Sequence, residues 1–385
     1  MKIALLVETF DQFGGGLEQW TWGLAHALVE REHTVTVLAF RAPAPPAAAG
    51  ITVRLMPWHP SRLVRARTAD AILADLGADV AHDLGVGCSA PLLHPQSGSR
   101  LANERREYQS LRWPQRLLAR LHPRRRRWLR ELRQFEDCRY APPANSLVIA
   151  VSRMVAADLH AWHGVAATRI RLIPNGVDTD RFSPPSAQIR DQWRGRFDVV
   201  DKTVFLFSAH NPRLKGRGPL LEAFAQARAV RPDLRLIIIG RAPDAEALRA
   251  VRRHGMQHAV IFPGLVADTL PYYAAADAFV LPTWHDACSL TVLEACACGL
   301  PVITTRQNGA AELLTDGREG HVIAHAGDIP ALASALGALS CPEARACMAL
   351  HARELATRLD FRRNVDAVEQ IYLELTLLHP SGPRP

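Results

Sequence analysis

The stretch from Thr283 to Gly309, TWHDACSLTVLEACACGLPVITTRQNG, carries the repeating unit of this chain. The strand-like run AFVLPT leads into it. A short apolar helix is expected to open at Cys288-Ser289, Gly299-Leu300-Pro301 stops it, and the strand-like PVITT follows. Strand, helix and strand in that order ask for two parallel neighbours in one sheet. The unit also places acids. Asp286 stands in the loop before the helix and Glu294 lies inside it, with seven residues between them. At ~1.5 Å rise per residue, Glu294 lies roughly 7–8 Å along the axis from Ser289. The backbone N–H groups of Cys288 and Ser289 are expected to be free at the helix start. Acids flanking such a start suit a ligand with hydroxyls at both ends and an anion in the middle, as in a nucleotide-sugar.

The same rhythm extends in both directions. In the second half, TVFLFSAH, LRLIIIG, AVIFPG, AFVLPT and PVITT alternate with helix-like segments. In the first half, KIALLVE, HTVTVLAF, ITVRLMP, DVAHDLG, APLLHPQ, LVIAVS and RIRLIP read as strands. Leu17, Trp20, Leu24 and Leu28 mark one helix face, and Ser152 caps another helix through Val155, Leu159 and Trp162. Such alternation implies α/β architecture with helices on both faces of parallel sheets. Two runs joined near Asp178–Pro185 predict two Rossmann-like doubly wound domains, 1–178 and 179–364, facing a central cleft. The last helix, about 365–385, is expected to pack back on the first domain. Ligand sites in open α/β sheets lie beyond the carboxyl ends of the strands.

Composition is that of an ordinary globular protein. The chain has 385 residues, 48% hydrophobic and 22% charged, enough for two cores. The opening MKIALLVETF reads as a buried strand, not a leader peptide. No run approaches the ~18 apolar residues of a membrane span. Seven scattered cysteines imply no disulfide framework, and a cytoplasmic location is expected.

Several residues can carry chemistry. Gly14-Gly15-Gly16 between the first strand and helix lets backbone approach an anion, although it lacks the G-x-G-x-x-G order and also reads as a plain turn. Arg213 and Lys215 follow TVFLFSAH and suit a diphosphate, where they would neutralise a phosphate leaving group. Asp83 and His94 stand at expected strand ends, where either could orient an acceptor hydroxyl or serve as a core-edge polar group. Asp178-Thr179-Asp180 follows an Asn-Gly turn and reads as a capping turn. No His/Cys/Asp/Glu spacing suggests a metal, and none is expected.

The net charge of +8 is local. Residues 100–139 hold thirteen Arg against five acids, and the rest of the chain holds 33 Lys+Arg against 33 Asp+Glu. Trp128, Leu132 and Phe135 recur at helical spacing among these arginines, and Pro123 divides the segment into two helices. The reading is part core and part contact with an anionic membrane, through Arg124, Arg125, Arg126, Arg127, Trp128 and Arg130. Nucleic acid is ranked below this, since no recognised motif accompanies the cluster.

FGGG, VSRMVAADL, RIRLIPNGVDTDRFSP, RLKG and PTWHDACSLTVLEACACGLPVITTRQNGAAEL resemble family 4 of the retaining glycosyltransferases, which have the GT-B fold. The matches span most of the chain. The spacing Asp286-x7-Glu294 resembles that family's E-x7-E motif, with Asp in the first position. The start and the basic segment look closest to lipopolysaccharide core glucosyltransferases. The resemblance implies transfer from a nucleoside-diphosphate sugar, with glucose favoured, to a cell-envelope glycolipid or glycan. GDP-mannose and UDP-N-acetylglucosamine are the alternative donors, and no metal cofactor is implied. Glu294 would bind ribose and Asp286 the transferred sugar. The donor set it implies is Gly15, Gly16, Arg213, Lys215, Leu265, Val266, Asp286, Ala287, Cys288, Ser289, Leu290 and Glu294. In such enzymes the leaving phosphate itself helps deprotonate the acceptor.

Overall fold

The computed structural model describes residues 1–43, 50–111, 113–141 and 146–378. The chain forms two compact units, Met1–Pro174 with Arg362–Pro385, and Asn175–Phe361. The expected boundary at 178 falls four residues later than this division.

Unit 1 runs β1 (Lys2–Thr9), α1 (Gly16–Glu30), β2 (Thr34–Arg41), β3 (Ile51–Leu55), α2 (Arg62–Ala74), β4 (Val80–Asp83) and β5 (Leu92–Leu93). It continues through α3 (Arg100–Ser110), α4 (Trp113–Leu121), α5 (Pro123–Tyr140), β6 (Leu147–Ala150), α6 (Arg153–His163) and β7 (Ile170–Leu172). Its seven strands are ordered β3-β2-β1-β4-β5-β6-β7, all parallel. Ile3 registers with Val35 on one side and Val80 on the other, so β1 is central. That position explains its unbroken apolar run: Ile3 to Val7 are all buried. Trp20, Leu24 and Leu28 bury the expected face of α1, and the Ser152 hydroxyl accepts from the Val155 N–H to start α6.

Unit 2 runs α7 (Ala187–Arg196), β8 (Thr203–Ala209), α8 (Arg217–Val230), β9 (Leu234–Gly240), α9 (Ala245–Arg253), β10 (Val260–Gly264) and α10 (Leu270–Ala275). It continues through β11 (Ala278–Leu281), α11 (Leu290–Ala297), β12 (Val302–Thr305), β13 (Gly320–Ile323), α12 (Ile329–Ala338) and α13 (Pro342–Arg358). Its parallel sheet is ordered β10-β9-β8-β11-β12-β13. The strand order reverses at β8 in one sheet and at β1 in the other, the switch points of doubly wound sheets. Strand β13 is absent from the sequence reading. Its four residues, GHVI, have no apolar run, and pairing with β12 alone orders them.

The final helix, α14 (Phe361–Leu378), runs mostly within unit 1. Arg31 joins Asp366 and Glu369, and His33 also meets Glu369. Asn364 accepts from the Trp20 indole and donates to the Pro174 carbonyl. Residues 379–385 of the expected last helix lie outside the described residues.

Candidate functional site

The quoted stretch folds into β11, a loop, α11 and β12. The loop is held from behind by buried Asn308. Its side-chain carbonyl accepts from the Ser289 and Ala310 N–H groups, and its amide donates to Thr304. Asp286 pairs through its backbone with Gln307 and Gly309. Asp286 is thereby fixed at the lip of the sheet with its carboxylate turned away from these bonds.

Lys215 meets it there. The Lys215 Nζ lies 2.5 Å from Asp286 Oδ2 and 3.2 Å from the His285 carbonyl. Sequence reasoning named both residues for a ligand; the structure brings them onto each other. The Lys215 loop depends on Gly216. Its φ is +83°, and a Cβ there would sit 1.9 Å from the Pro282 carbonyl oxygen. Only glycine allows the loop after β8 to lie against the end of β11. Arg213 is exposed and forms no ion pair among the described residues. The next basic residue, Arg217, is buried and bonds Asp244, so it is structural.

Ser289 stands at the N-cap position of α11, but its N–H, expected to be free, is taken by Asn308. Its hydroxyl meets Thr291 and makes no capping bond, which leaves the first turn of α11 without a side-chain cap. Ala287 and Cys288 are buried, the Cys288 carbonyl accepts from the Asn175 side-chain amide, and Leu290 is half-buried. Burial pushes the Cys288 thiol up to about 12, so it is an inert neutral group.

Glu294 has the partner that an acid on an apolar helix requires. Tyr273, on α10, donates its hydroxyl to Glu294 Oε2 at 2.7 Å. Burial raises the Glu294 pKa, while the Tyr273 bond and the Arg181 charge oppose the rise. Tyr273 is the site residue that sequence reasoning missed; its element lies twenty residues upstream and its sequence, LPYYAA, gives no polar signal. Leu265 is exposed and Val266 half-buried after β10.

Gly15 is the N-cap of α1 and Gly16 its first residue. Glu18 leans over them: a Cβ on Gly15 would lie 3.0 Å from Glu18 Oε2. A first-turn acid therefore already complements this helix start.

In unit 1 the two expected acceptor-side residues differ. Asp83 is 0% exposed and its oxygens are spent. They accept from the N–H groups of Gly85, Val86 and Gly87, and Arg139 lies 2.5 Å away. This corrects the expectation that Asp83 could orient an acceptor hydroxyl: no lone pair is left for a substrate. His94 is also buried, but one of its nitrogens is unused. Its Nδ1 lies 3.1 Å from His82 Nε2, and His82 Nδ1 lies 2.7 Å from the Tyr372 hydroxyl of α14. His94 Nε2 has no partner among the described residues. Burial holds His82 down at about 3 and His94 well below its usual value, with Arg139 adding to both, so both rings are neutral. Among the described residues the Tyr372 hydroxyl has no other acceptor, so its proton goes to His82 Nδ1. The chain of bonds then makes His94 Nε2 an N–H donor and not a base.

Helices α4 and α5 carry the basic segment, separated at Pro123 as expected. Leu132 and Phe135 join Ala66 and Leu101 in the core. Arg124, Arg126, Arg127, Arg130 and Trp128 are exposed. Arg125 is a correction to the expected membrane set: it is locked on Glu104 and stacked 4.8 Å from the Tyr108 ring. The apolar half of the surface lies on α4, which buries no residue and exposes Trp113 (75%), Leu117, Leu118 (71%) and Leu121.

Asp178 Oδ1 accepts from the N–H groups of Asp180 and Arg181, a turn role. Among the described residues, no three His, Cys, Asp or Glu side chains gather as a metal ion would need. No helix among them is long and apolar enough to cross a membrane.

Two doubly wound parallel units with acids and cations at the strand ends of the second define the GT-B class of fold. The comparisons agree. The crystal structure of WaaG, a glycosyltransferase involved in lipopolysaccharide biosynthesis, superposes with a TM-score of 0.80 at 21% identity, covering 96% of this chain and 99% of that one. Anabaena Alr3699/HepE in complex with UDP-glucose gives 0.73 at 21%, covering 97% and 100%. The family model described as Glycosyltransferase Family 4 matches residues 14–181, and that described as Glycosyl transferases group 1 matches residues 201–341. The chain thus carries a family 4 glycosyltransferase domain followed by a group 1 glycosyltransferase domain. It is 34% identical over 222 residues to the GDP-mannose-dependent alpha-(1-6)-phosphatidylinositol monomannoside mannosyltransferase of Mycolicibacterium smegmatis, covering 54% of this chain. It is 30% identical over 253 residues to the D-inositol 3-phosphate glycosyltransferase of Xylanimonas cellulosilytica, covering 62% of this chain. The alignments span 57% and 59% of those two relatives.

Proposed function

We propose that this chain is a retaining hexosyltransferase that takes a sugar from a nucleoside-diphosphate sugar and places it on a cell-envelope glycolipid or glycan. The observation that carries the reading is the Lys215–Asp286 pair beside the uncapped start of α11, with Glu294 held by Tyr273 about one and a half turns further in. Lys215 and Arg213 take the diphosphate, Glu294 the ribose hydroxyls and Asp286 the sugar hydroxyls, releasing its hold on Lys215 as the anion arrives. Leu265 and Val266, beyond β10, supply backbone contacts to the donor. The bond from the anomeric carbon to the phosphate oxygen breaks, and one to the acceptor oxygen forms on the same face. The acceptor proton passes to the departing phosphate oxygen, so no protein base is assigned. Lys215 stabilises the charge that develops there, which makes a protein-held metal unnecessary in this scheme. His94 donates to an oxygen of the substrate, and Asp83 shapes the loop behind it.

The hexose we favour is glucose, from the resemblance of the chain's start and basic segment to lipopolysaccharide core enzymes. Mannose is the second reading, favoured by the 34% identity to a GDP-mannose-dependent enzyme. The acceptor is reached from an anionic membrane surface. The exposed α4 face inserts its apolar side chains while Arg124, Arg126, Arg127 and Arg130 meet headgroups, a peripheral attachment at the cytoplasmic face. A panel of nucleotide-sugars tested for thermal stabilisation and for transfer decides the donor. Absence of stabilisation by every member would overturn the reading.

A further inference from the structure

A second concentration of charge lies in unit 1, at the carboxyl ends of β1, β2 and β4. Glu8, Phe40, Arg62, Arg65, Gly85 and Val86 line a small recess there. Arg62 and Arg65 belong to the first turn of α2, and Arg100 is the first residue of α3. Arg100 reaches the same loop: its Nη2 would lie 3.5 Å from a Cβ placed on Gly85, whose φ is +129°.

Arg65 is 8% exposed and partly accounted for. It donates to the His59 carbonyl at 2.8 Å, stands 3.5 Å from Glu8, and lies over the Trp58 and Phe40 rings. Arg62 and Arg100 are different. Their backbone N–H groups bond Glu131 and Glu136, but their guanidiniums make no hydrogen bond or ion pair among the described residues. Glu136 cannot serve them further, because it also takes the Leu101 N–H and the Ser99 hydroxyl. Burial lowers the pKa of both, Arg100 to about 10, and each is lowered further by a neighbouring arginine. Glu8, Glu131 and Glu136 oppose that lowering by their charge, but none of the three bonds the guanidinium of Arg62 or Arg100. Guanidiniums held together in a partly desolvated place without a direct partner cost stability, and such sites mark function. The guanidinium fork matches phosphate oxygens.

We propose that Arg62, Arg65 and Arg100 form a phosphate-binding site that holds an acceptor substrate by a phosphoryl group. The acceptor role rests on the sugar-transfer reading above; phosphate capture itself does not. The recess holds only about 10 Å³, so the anion is taken at its mouth by the arginine side chains.

The test uses the full chain and inorganic phosphate, at ionic strength held constant with chloride. The wild type is expected to gain melting temperature saturably with phosphate, and Arg62→Gln or Arg100→Gln to weaken that response at least tenfold. Without phosphate, Arg100→Gln is expected to melt no lower than wild type, because it relieves repulsion; a structural arginine would lower it by several degrees. Lys215→Ala is expected to keep the phosphate response, which separates this site from the donor's. Glucose 6-phosphate and phosphatidylglycerol vesicles, against phosphatidylcholine vesicles, distinguish a soluble monoester from a lipid headgroup as the preferred source. Equal responses in wild type and both variants, no response to any phosphate probe, or a lower melting temperature of Arg100→Gln without phosphate would overturn the proposal. A nucleotide-sugar panel without effect would sink the transfer reading and leave the phosphate result standing.

Discussion

Asp83 and Asp286 occupy matching places, each where a strand of a parallel sheet gives way to its loop, and they have opposite fates. Asp83 is sealed, with three N–H donors and Arg139 filling its oxygens. Asp286 keeps a half-buried carboxylate with one cation, Lys215, on it. A saturated acid holds its own loop together. An acid whose cation can be drawn off by an anion is a site in waiting. Residue type is the same, and Asp83 ends β4 while Asp286 stands in the loop after β11; what separates their fates is the number of bonds already made.

The comparison breaks most directly at Asp83. Asp83→Ala leaves Arg139 buried and uncompensated, and should destabilise unit 1 by about 3–5 kcal/mol, read from urea melts. A loss near zero would mean the seal is not structural. Lys215→Ala should cut turnover by about 10²–10³-fold, comparable to the loss of one charge-stabilising donor, with melting temperature nearly unchanged. Retained turnover would remove the pair from the site.

Glu294 sharpens the contrast through pH. Its folded pKa is raised by burial, so the folded state binds the proton more tightly than the unfolded chain. The resulting stabilisation is complete below the unfolded value of about 4.3 and is lost as pH rises through the folded one. Glu294→Gln should therefore be relatively more stable than wild type at pH 7.5 than at pH 4, yet lose turnover. Urea melts at the two pH values check the first part, and a transfer assay the second. Tyr273→Phe removes one hydrogen bond to a charged group and should cost about 1.5–3 kcal/mol at most. The smallest effect is expected on α4. Leu118→Ser should leave stability within about 0.5 kcal/mol, since the side chain is exposed, while weakening sedimentation with anionic vesicles. Unchanged sedimentation would take α4 out of the membrane reading.

Much of this was readable in advance, for physical reasons. The buried parallel strands announced themselves as continuous apolar runs, because β1 and β8 are covered on both faces. The short elements were harder. Strand β5 spans only two residues of the expected APLLHPQ, and β13 depends on one neighbour. On the basic segment, the arginines were conspicuous, but the exposed apolar stripe of Trp113, Leu117, Leu118 and Leu121 emerged only from the packing of α4.

The sequence by itself determined the two α/β runs and the spacing of Asp286 and Glu294, because hydrophobic period and local helix geometry are properties of neighbours along the chain. Tertiary structure alone decided which polar groups are spent. Tyr273 reaches Glu294 from another helix, Arg139 reaches Asp83 from 56 residues away, and Tyr372 reaches His82 from 290 away. A buried polar group must be satisfied by whatever the fold brings to it, and that partner leaves no periodic trace in the chain.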